Sequence, residues 1–555
     1  MAAWGCLLNM SRDGDVRTLV IGLDAACATV FDRLPEGTVP TLRSVFETGV
    51  QGPLTSQLPP WTPSAWPSMY TGMNPGKHGI FDFLTFEGYD WDVVNATHCR
   101  ERPLWELLDR HGYRSVVVNA PVTHPPSAFD GALVPGYMAP ESPECHPPGL
   151  FAELEDAIGP YPIYPADGKD GKAYESTVAA RGAAFRYLAD RFDPDFGFLQ
   201  FQATDTVFHD RPDDWETIER IYAAVDSEVE QVLDRCDPDT VFVVSDHGMG
   251  PLSGVEFRVN DWLAERGDVR TVSGGEGMPA WSTVRDNELK GDRASADTGP
   301  MRVWHELAGY GDGALRGLAG AAARAGVTSQ RVGDALARIG LRDAVAEAVP
   351  ASVVRQGAEQ VDFRNSTAYV RSRTECGIRL NLAGREPDGV VPASDYDTVR
   401  ADLIEALREV RTPDGDRLFE AVLPREAVFH GPKTEGAVDV VTVPNGFEHF
   451  LSATIRGSPF GPPTEPWNHK MAGIVAARGE GIDTDASLAG ATLFDVAPTV
   501  LSTFGVPADE RMDGGCLPVV ESAGRRAYPD PQRAAPAETD DAAVEQRLSD
   551  LGYLE

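Results

Sequence analysis

The chain has 555 residues, of which 42% are apolar, and a formal net charge of −36. That length supports a large core and, at roughly 150 residues per domain, two to four units. So acidic a surface repels nucleic acid and anionic lipid, and no stretch reaches the ~18 to 20 apolar residues of a membrane-spanning helix, so neither a polymer-binding nor a membrane-spanning protein is expected. Only six of the 49 basic residues are lysine, against 85 acids. Codon bias explains the excess of arginine but not the excess of acid. A halophilic surface, whose self-repulsion molar salt screens over ~3 Å, is the expectation.

Residues 1–16 read as an N-terminal extension with no basic n-region and too short an apolar run for a secretory signal. Met10 could be the true start, and a cytoplasmic protein is expected. The first strand-like run, TLVIGL, ends at Asp24. The segment PPWTPSAWPSMYTG then offers Thr62, Ser64 and Ser68 as candidate alcohol nucleophiles. Further apolar runs follow at 115–121, 196–201 and 240–246, with helical stretches between them. This alternation predicts a doubly wound α/β fold, a mostly parallel sheet with helices on both faces. Asp24 and Asp246 sit at the carboxyl ends of their runs, where open α/β sheets place their ligands.

Residues 17–255 form the first part of this core, and 256–425 interrupt it as an inserted α+β cap. Within the cap, 312–349 have helical spacing, and the five arginines of 314–342 read as pairing inside the cap rather than lying on a membrane. Strand-like runs at 437–444 and 473–479 are assigned back to the main sheet, and 493–506 read as a helix closing the core, so that 426–521 form its second part. Residues 522–555 read as a linker and a C-terminal amphipathic helix. The seven cysteines are scattered, odd in number and without a CxxC pair, so buried reduced thiols are expected.

The chemistry-bearing residues lie in five short segments. Asp205 and His209 stand four apart, on one face of a helical turn. They could bind one ion together with His469 of NHKMAG. Asp246 and His247 are adjacent, and on a loop past a strand, with Gly248 permitting the turn, they could converge with Asp24 and a hydroxyl on a second ion. Three carboxylates, three imidazoles and one hydroxyl suit two divalent cations beside an alcohol nucleophile. Zinc is the first choice for such a sulfur-free set and manganese the second. Lys77, His78 and Lys470 flank these segments as candidate substrate contacts; the bland reading of each is a solvated lysine or a structural histidine.

In the order D…T…DxxxH…DH…H, with TGMNPGKHGIFDF (71–83), NAPVTHPPS (119–127), NLAGREPDGVV (381–391) and DVAPTV (495–500), the chain resembles the alkaline phosphatase superfamily, in its phosphodiesterase/nucleotide pyrophosphatase branch. The register of that branch selects Thr62 as nucleophile. The resemblance implies hydrolysis of a small-molecule phosphate ester through a phosphothreonine intermediate, with two metal ions held by Asp24, Thr62, Asp205, His209, Asp246, His247 and His469. TPSAW lacks the cysteine and arginine of the sulfatases, and the 222-residue separation of His247 from His469 is unlike that of the phosphoglycerate mutases. One departure stands out: where the branch places an asparagine for a phosphate oxygen, this chain has Phe83, beside Asp82. The alternatives are a phosphomonoesterase or phosphotransferase on the same site, or a non-catalytic metal-binding module.

Overall fold

Runs of apolar side chains that hide both of their faces set the architecture. In the computed structural model, which describes residues 16–165, 171–273, 359–531 and 533, the first half of the chain supplies six strands to the main sheet. They are β1 (Thr18–Leu23), β2 (Val50–Thr55), β3 (Ser115–Ala120), β4 (Gly131–Pro135), β5 (Phe196–Phe201) and β6 (Thr240–Val244). All but β2 are buried along their whole length, as expected of strands covered on both faces. The helices of this half include α1 (Pro40–Thr48), α2 (Thr62–Thr71), α3 (Lys172–Phe192), α4 (Ala203–Asp210) and α5 (Trp215–Cys236). In α5, Ile218, Ile221, Tyr222, Val225, Val229 and Val232 fall three or four apart and are buried, while acids fill the other face.

Strand β7 (Gly248–Pro251) starts just after β6. A second unit follows, in which β8 (Ala368–Tyr369), β9 (Gly377–Leu380), β10 (Phe419–Pro424) and β11 (Val440–Pro444) form an antiparallel sheet in the order β8-β9-β11-β10. Helix α6 (Tyr396–Arg408) packs on β10. The apolar cluster of this unit runs from Phe257 to Ile455 and takes in Val440. Strand β12 (Trp467–Lys470) then pairs antiparallel with β7, and β13 (Ala472–Gly479) enters the main sheet. The main sheet has the order β2-β13-β6-β1-β5-β3-β4. Its strands from β6 to β4 are parallel, and β13 is antiparallel to both of its neighbours. Helix α7 (Val496–Thr503) is buried on the core, in the segment expected to close it.

One expected strand belongs elsewhere. The run at 437–444 becomes β11 of the second sheet, not a strand of the main one. Its five residues Val440–Pro444 are all buried, and a run buried on both sides looks alike in either sheet. Strands β2 and β4 were not foreseen; β2 alternates and contains Gly52 and Pro53, which weaken its strand signal. Residues 312–349, with the five arginines, and the C-terminal helix lie outside the described residues. No described helix is long and apolar enough to cross a membrane.

The N-cap position of helix α1 is Val39, whose side chain cannot cap it, and Asp226 of α5 takes that role. Its two carboxylate oxygens accept the N–H groups of Thr41 and Leu42 at 3.1 and 2.7 Å. Asp226→Ala leaves two orphan donors in the interior and is expected to cost ~3 kcal/mol, read as a lower urea midpoint at unchanged slope. Asp226→Asn keeps one acceptor and should lose about half as much.

Candidate metal centre and nucleophile

Asp24 stands where β1 ends, and Ala25, in the left-handed region at φ 58°, turns the chain away. The Oδ2 of Asp24 accepts hydrogen bonds from Trp66 Nε1 and Gln200 Nε2, each at 2.9 Å. Those bonds leave Oδ1 facing Thr62 Oγ1 and His247 Nε2, both 3.5 Å away. Trp66 lies one turn after Thr62 on α2, and its ring lies against Gly22 of β1, where an added Cβ would come within 2.5 Å of it. Gln200 of β5 is held in turn by Asn119 Nδ2 at the bulged end of β3. Thr204 at the start of α4 donates to the Asp24 carbonyl at 2.7 Å. Three strand ends and two helices thus fix one carboxylate.

His247 follows β6, and its Nδ1 faces the Gly248 carbonyl at 3.1 Å, which leaves the Nε2 lone pair for the site. That Nε2 is 3.1 Å from Asp246 Oδ2 and 3.5 Å from Thr62 Oγ1. Gly248 serves close approach rather than the turn, since an added Cβ would lie 2.1 Å from the Ala472 carbonyl. His469 comes from β12, opposite Met249 of β7, and its Nδ1 faces the Pro60 carbonyl at 2.9 Å. Its Nε2 is 3.0 Å from His209 Nε2 and 3.3 Å from Asp205 Oδ1, and His209 Nε2 is 3.4 Å from the same oxygen. The rings of His247 and His469 stack at 3.7 Å.

The structure therefore brings all seven candidate residues together. Asp24, Asp246 and His247 form one group with Thr62 beside it; Asp205 and His469 form another with His209, and His247 is within reach of both. Thr62 is the first residue of α2, at the positive end of the helix dipole. Ser64 and Ser68 face elsewhere, bonded to the Ile80 carbonyl and to His78.

Burial, then the carboxylates of Asp246 and Asp205, push Asp24 well above the usual carboxylate range. Burial and Asp205 do the same to Asp246. Burial also acts to raise Asp205, but His209 and His469 outweigh it and hold that carboxyl low. His209 is pushed up to about 10: burial opposes the shift, while Asp205 and then Glu465 drive it. Burial and His469 keep His247 far below its ordinary value, and burial lowers His469 too. Asp246 Oδ2 is buried without a hydrogen bond. Crowded carboxylates beside the neutral imidazoles of His247 and His469, with a buried oxygen left over, are a donor set that fits divalent cations.

The three flanking candidates are engaged elsewhere. Lys77 Nζ pairs with Asp513 at 2.6 Å and donates to the Arg511 carbonyl. His78 is buried, accepts from the Ile80 N–H and meets Ser68; burial holds it down at about 3. Lys470 donates to the Phe447 carbonyl at 2.6 Å, and burial lowers it to about 8. Phe83 is buried, and its N–H donates to Asp82, whose carboxyl burial and then Glu375 push up to about 7. Sequence reasoning passed over Trp66 and Gln200. The i, i+4 spacing from Thr62 and the lone polar residue of FGFLQF were the available signals.

Because Trp66 fills the space over Gly22, Gly22→Val is expected to push the indole off Asp24 Oδ2. Metal affinity, read by titration against a chelating indicator, should fall by ~10-fold or more.

A model of the type I phosphodiesterase/nucleotide pyrophosphatase family matches residues 18–312, more than half of the chain. A search of curated proteins finds no match. Among solved structures, the chain is similar to phosphonoacetate hydrolase from Sinorhizobium meliloti 1021 in complex with phosphonoformate. Identity is 17% and the TM-score 0.53, over 87% of this chain and 94% of that one. The same enzyme with phosphonoacetate gives 16% and 0.52 at the same coverage. Murine ectonucleotide pyrophosphatase/phosphodiesterase 5 in complex with AMP gives 12% and 0.47, over 89% of this chain and 96% of that one. The likeness to phosphonoacetate hydrolase agrees with the doubly wound α/β fold, and the family match, over strands and candidate ligand segments described above, decides the assignment: the chain belongs to the type I phosphodiesterase/nucleotide pyrophosphatase family, whose members are phosphoester hydrolases.

Proposed function

We propose that the protein hydrolyses a small-molecule phosphate diester through a covalent phosphothreonine on Thr62. Two divalent cations, zinc first and manganese second, would be held by Asp24, Asp246 and His247 with Thr62, and by Asp205, His209 and His469. The observation that carries this reading is the placement of Thr62 Oγ1, buried at a helix start and 3.5 Å from both Asp24 Oδ1 and His247 Nε2. When bound, the cations supply the positive charge that favours the ionised hydroxyl and offsets charge on the phosphoryl oxygens.

The ionised Thr62 Oγ1 attacks phosphorus, the bond to the leaving oxygen breaks, and the phosphoryl group, still carrying its other ester arm, stays on Thr62. Water then attacks phosphorus and Thr62 Oγ1 leaves. The start of α2 places partial positive charge beside the bound phosphate. Trp66 and Gln200 keep Asp24 Oδ1 directed at Thr62, and the carbonyls of Gly248 and Pro60 keep the Nε2 atoms of His247 and His469 directed inward. The described part of the second unit would lie over the leaving group; its Arg373 and Phe450 line one cavity together with Trp61 and His469.

Rates with bis-4-nitrophenyl phosphate, 4-nitrophenyl phosphate and 4-nitrophenyl sulfate test the reading. The diester should be the best substrate and the sulfate ester inert, and Thr62→Ala should lower turnover by ~10³-fold or more with both metals retained. Faster monoester turnover assigns a phosphatase, product on an added alcohol assigns a transferase, and rates unchanged in Thr62→Ala contradict the mechanism.

Removal of metal carries a sign that can be checked. Asp24 and Asp246 are raised in the metal-free fold, so the stability they contribute is present in acid and lost as the pH rises through their raised values. His209, raised to about 10, also holds a proton that metal must displace. Chelation should therefore lower the melting temperature by a margin that widens from about pH 5 to about pH 8. Calorimetry on loaded and chelated protein measures it, and a margin independent of pH contradicts it.

A further inference from the structure

Behind the group formed by Asp205, His209 and His469 lies another carboxylate. Glu465 is 4% exposed, and its Oε2 stands 3.7 Å from His209 Nδ1, the ring nitrogen opposite the one that meets Asp205 and His469. Two side chains hold Glu465. Arg373 Nη1 donates to Oε1 at 3.2 Å, and Asn468 Nδ2 donates to Oε2 at 3.0 Å. Asn468 in turn directs its Oδ1 at the backbone N–H of His469, 2.7 Å away. One carboxylate thus stands behind the imidazole of His209, and the amide that holds it also fixes the backbone of His469.

Arg373 belongs to the second unit. It lies in the turn Arg373–Glu375 just before β9, is 5% exposed, and stands over the Phe450 ring at 4.6 Å. A buried Arg–Glu pair is a poor source of stability in itself, because both ions lose their water. Here its second carboxylate oxygen is turned to an imidazole rather than left to the pair. An imidazole whose Nδ1–H faces a carboxylate has its lone pair fixed on Nε2 and is a stronger ligand.

We propose that Glu465 is a positioning residue for one of the two cation sites, orienting His209 for ligation, and that Arg373 ties this alignment to the second unit. The proposal rests on the reading of His209 as a ligand. It makes one ion, and not the other, sensitive to a contact made by the second unit.

The test is titration of metal-stripped full-length protein with Zn²⁺ against a chelating indicator, which reads two sites without reference to activity. Glu465→Ala should weaken one site by ~10- to 100-fold and leave the other within about threefold. Glu465→Gln, which keeps an acceptor without the charge, should fall between, and it serves as the isosteric variant if the alanine protein does not fold. Arg373→Met should weaken the same site, and its effect should not add to that of Glu465→Ala. Wild-type affinity at both sites in Glu465→Ala and Glu465→Gln, while His209→Ala loses one site, overturns the proposal alone. Two sites of wild-type affinity in His209→Ala overturn the ligand reading and, with it, the proposal.

Discussion

Three carboxylates and three imidazoles share one nearly dry volume, and the rest of the structure is arranged around the cost of keeping them there. Like charges about 4 Å apart repel by ~4 kcal/mol at an effective dielectric of ~20. The chain offsets this at one corner only, where His209 and His469 keep Asp205 ionised. At the other corner Asp24 and Asp246 are left raised, with His247 neutral beside them. The proposed divalent cations would supply the missing charge, and with it a means for so acidic a protein to attract an anionic ester.

Holding such a set in place concentrates backbone strain at the carboxyl edge of the sheet. Ala25, Asn119 and Val122 all lie in the left-handed region, at φ 58°, 64° and 58°, and Val122 is β-branched. Such conformations cost ~1–3 kcal/mol each and persist only where their surroundings enforce them. The turn at Ala25 gives its N–H to Asp246 Oδ1, and Asn119 gives its amide to Gln200 behind Asp24. Two of the three strained residues, Ala25 and Asn119, thus help to aim the two carboxylates at the raised corner.

Much of this was legible in the sequence. The runs at 18–23, 115–121, 196–201, 240–246 and 473–479 are all strands of the main sheet, because strands buried on both faces leave a continuous apolar signature. The i, i+4 pair Asp205 and His209 needed only helical periodicity. His469 is different: no local pattern marks it, and only its place in the order of a known family did. The misplaced run at 437–444 shows the limit of burial as a signal, since apolarity says that a strand is covered and not which sheet covers it. Lys470 follows His469 by one residue, so strand alternation turns its side chain away from the site. Lys77 meets Asp513, 436 positions away, a pairing that no local reading reveals. The braces at Trp66, Gln200 and Glu465 escaped notice for a related reason: their partners are distant in sequence, and their residue types are ordinary.

The central claim is that Thr62 carries the phosphoryl group. Rapid acid quenching of the metal-loaded enzyme during diester turnover, followed by mass spectrometry of its peptides, tests that directly. A phosphoryl group that still carries the diester's retained ester arm, bound to Thr62 within a single turnover and lost as substrate is exhausted, is the expected result. Turnover with no such adduct, or with the adduct on Ser64 or Ser68, would contradict it.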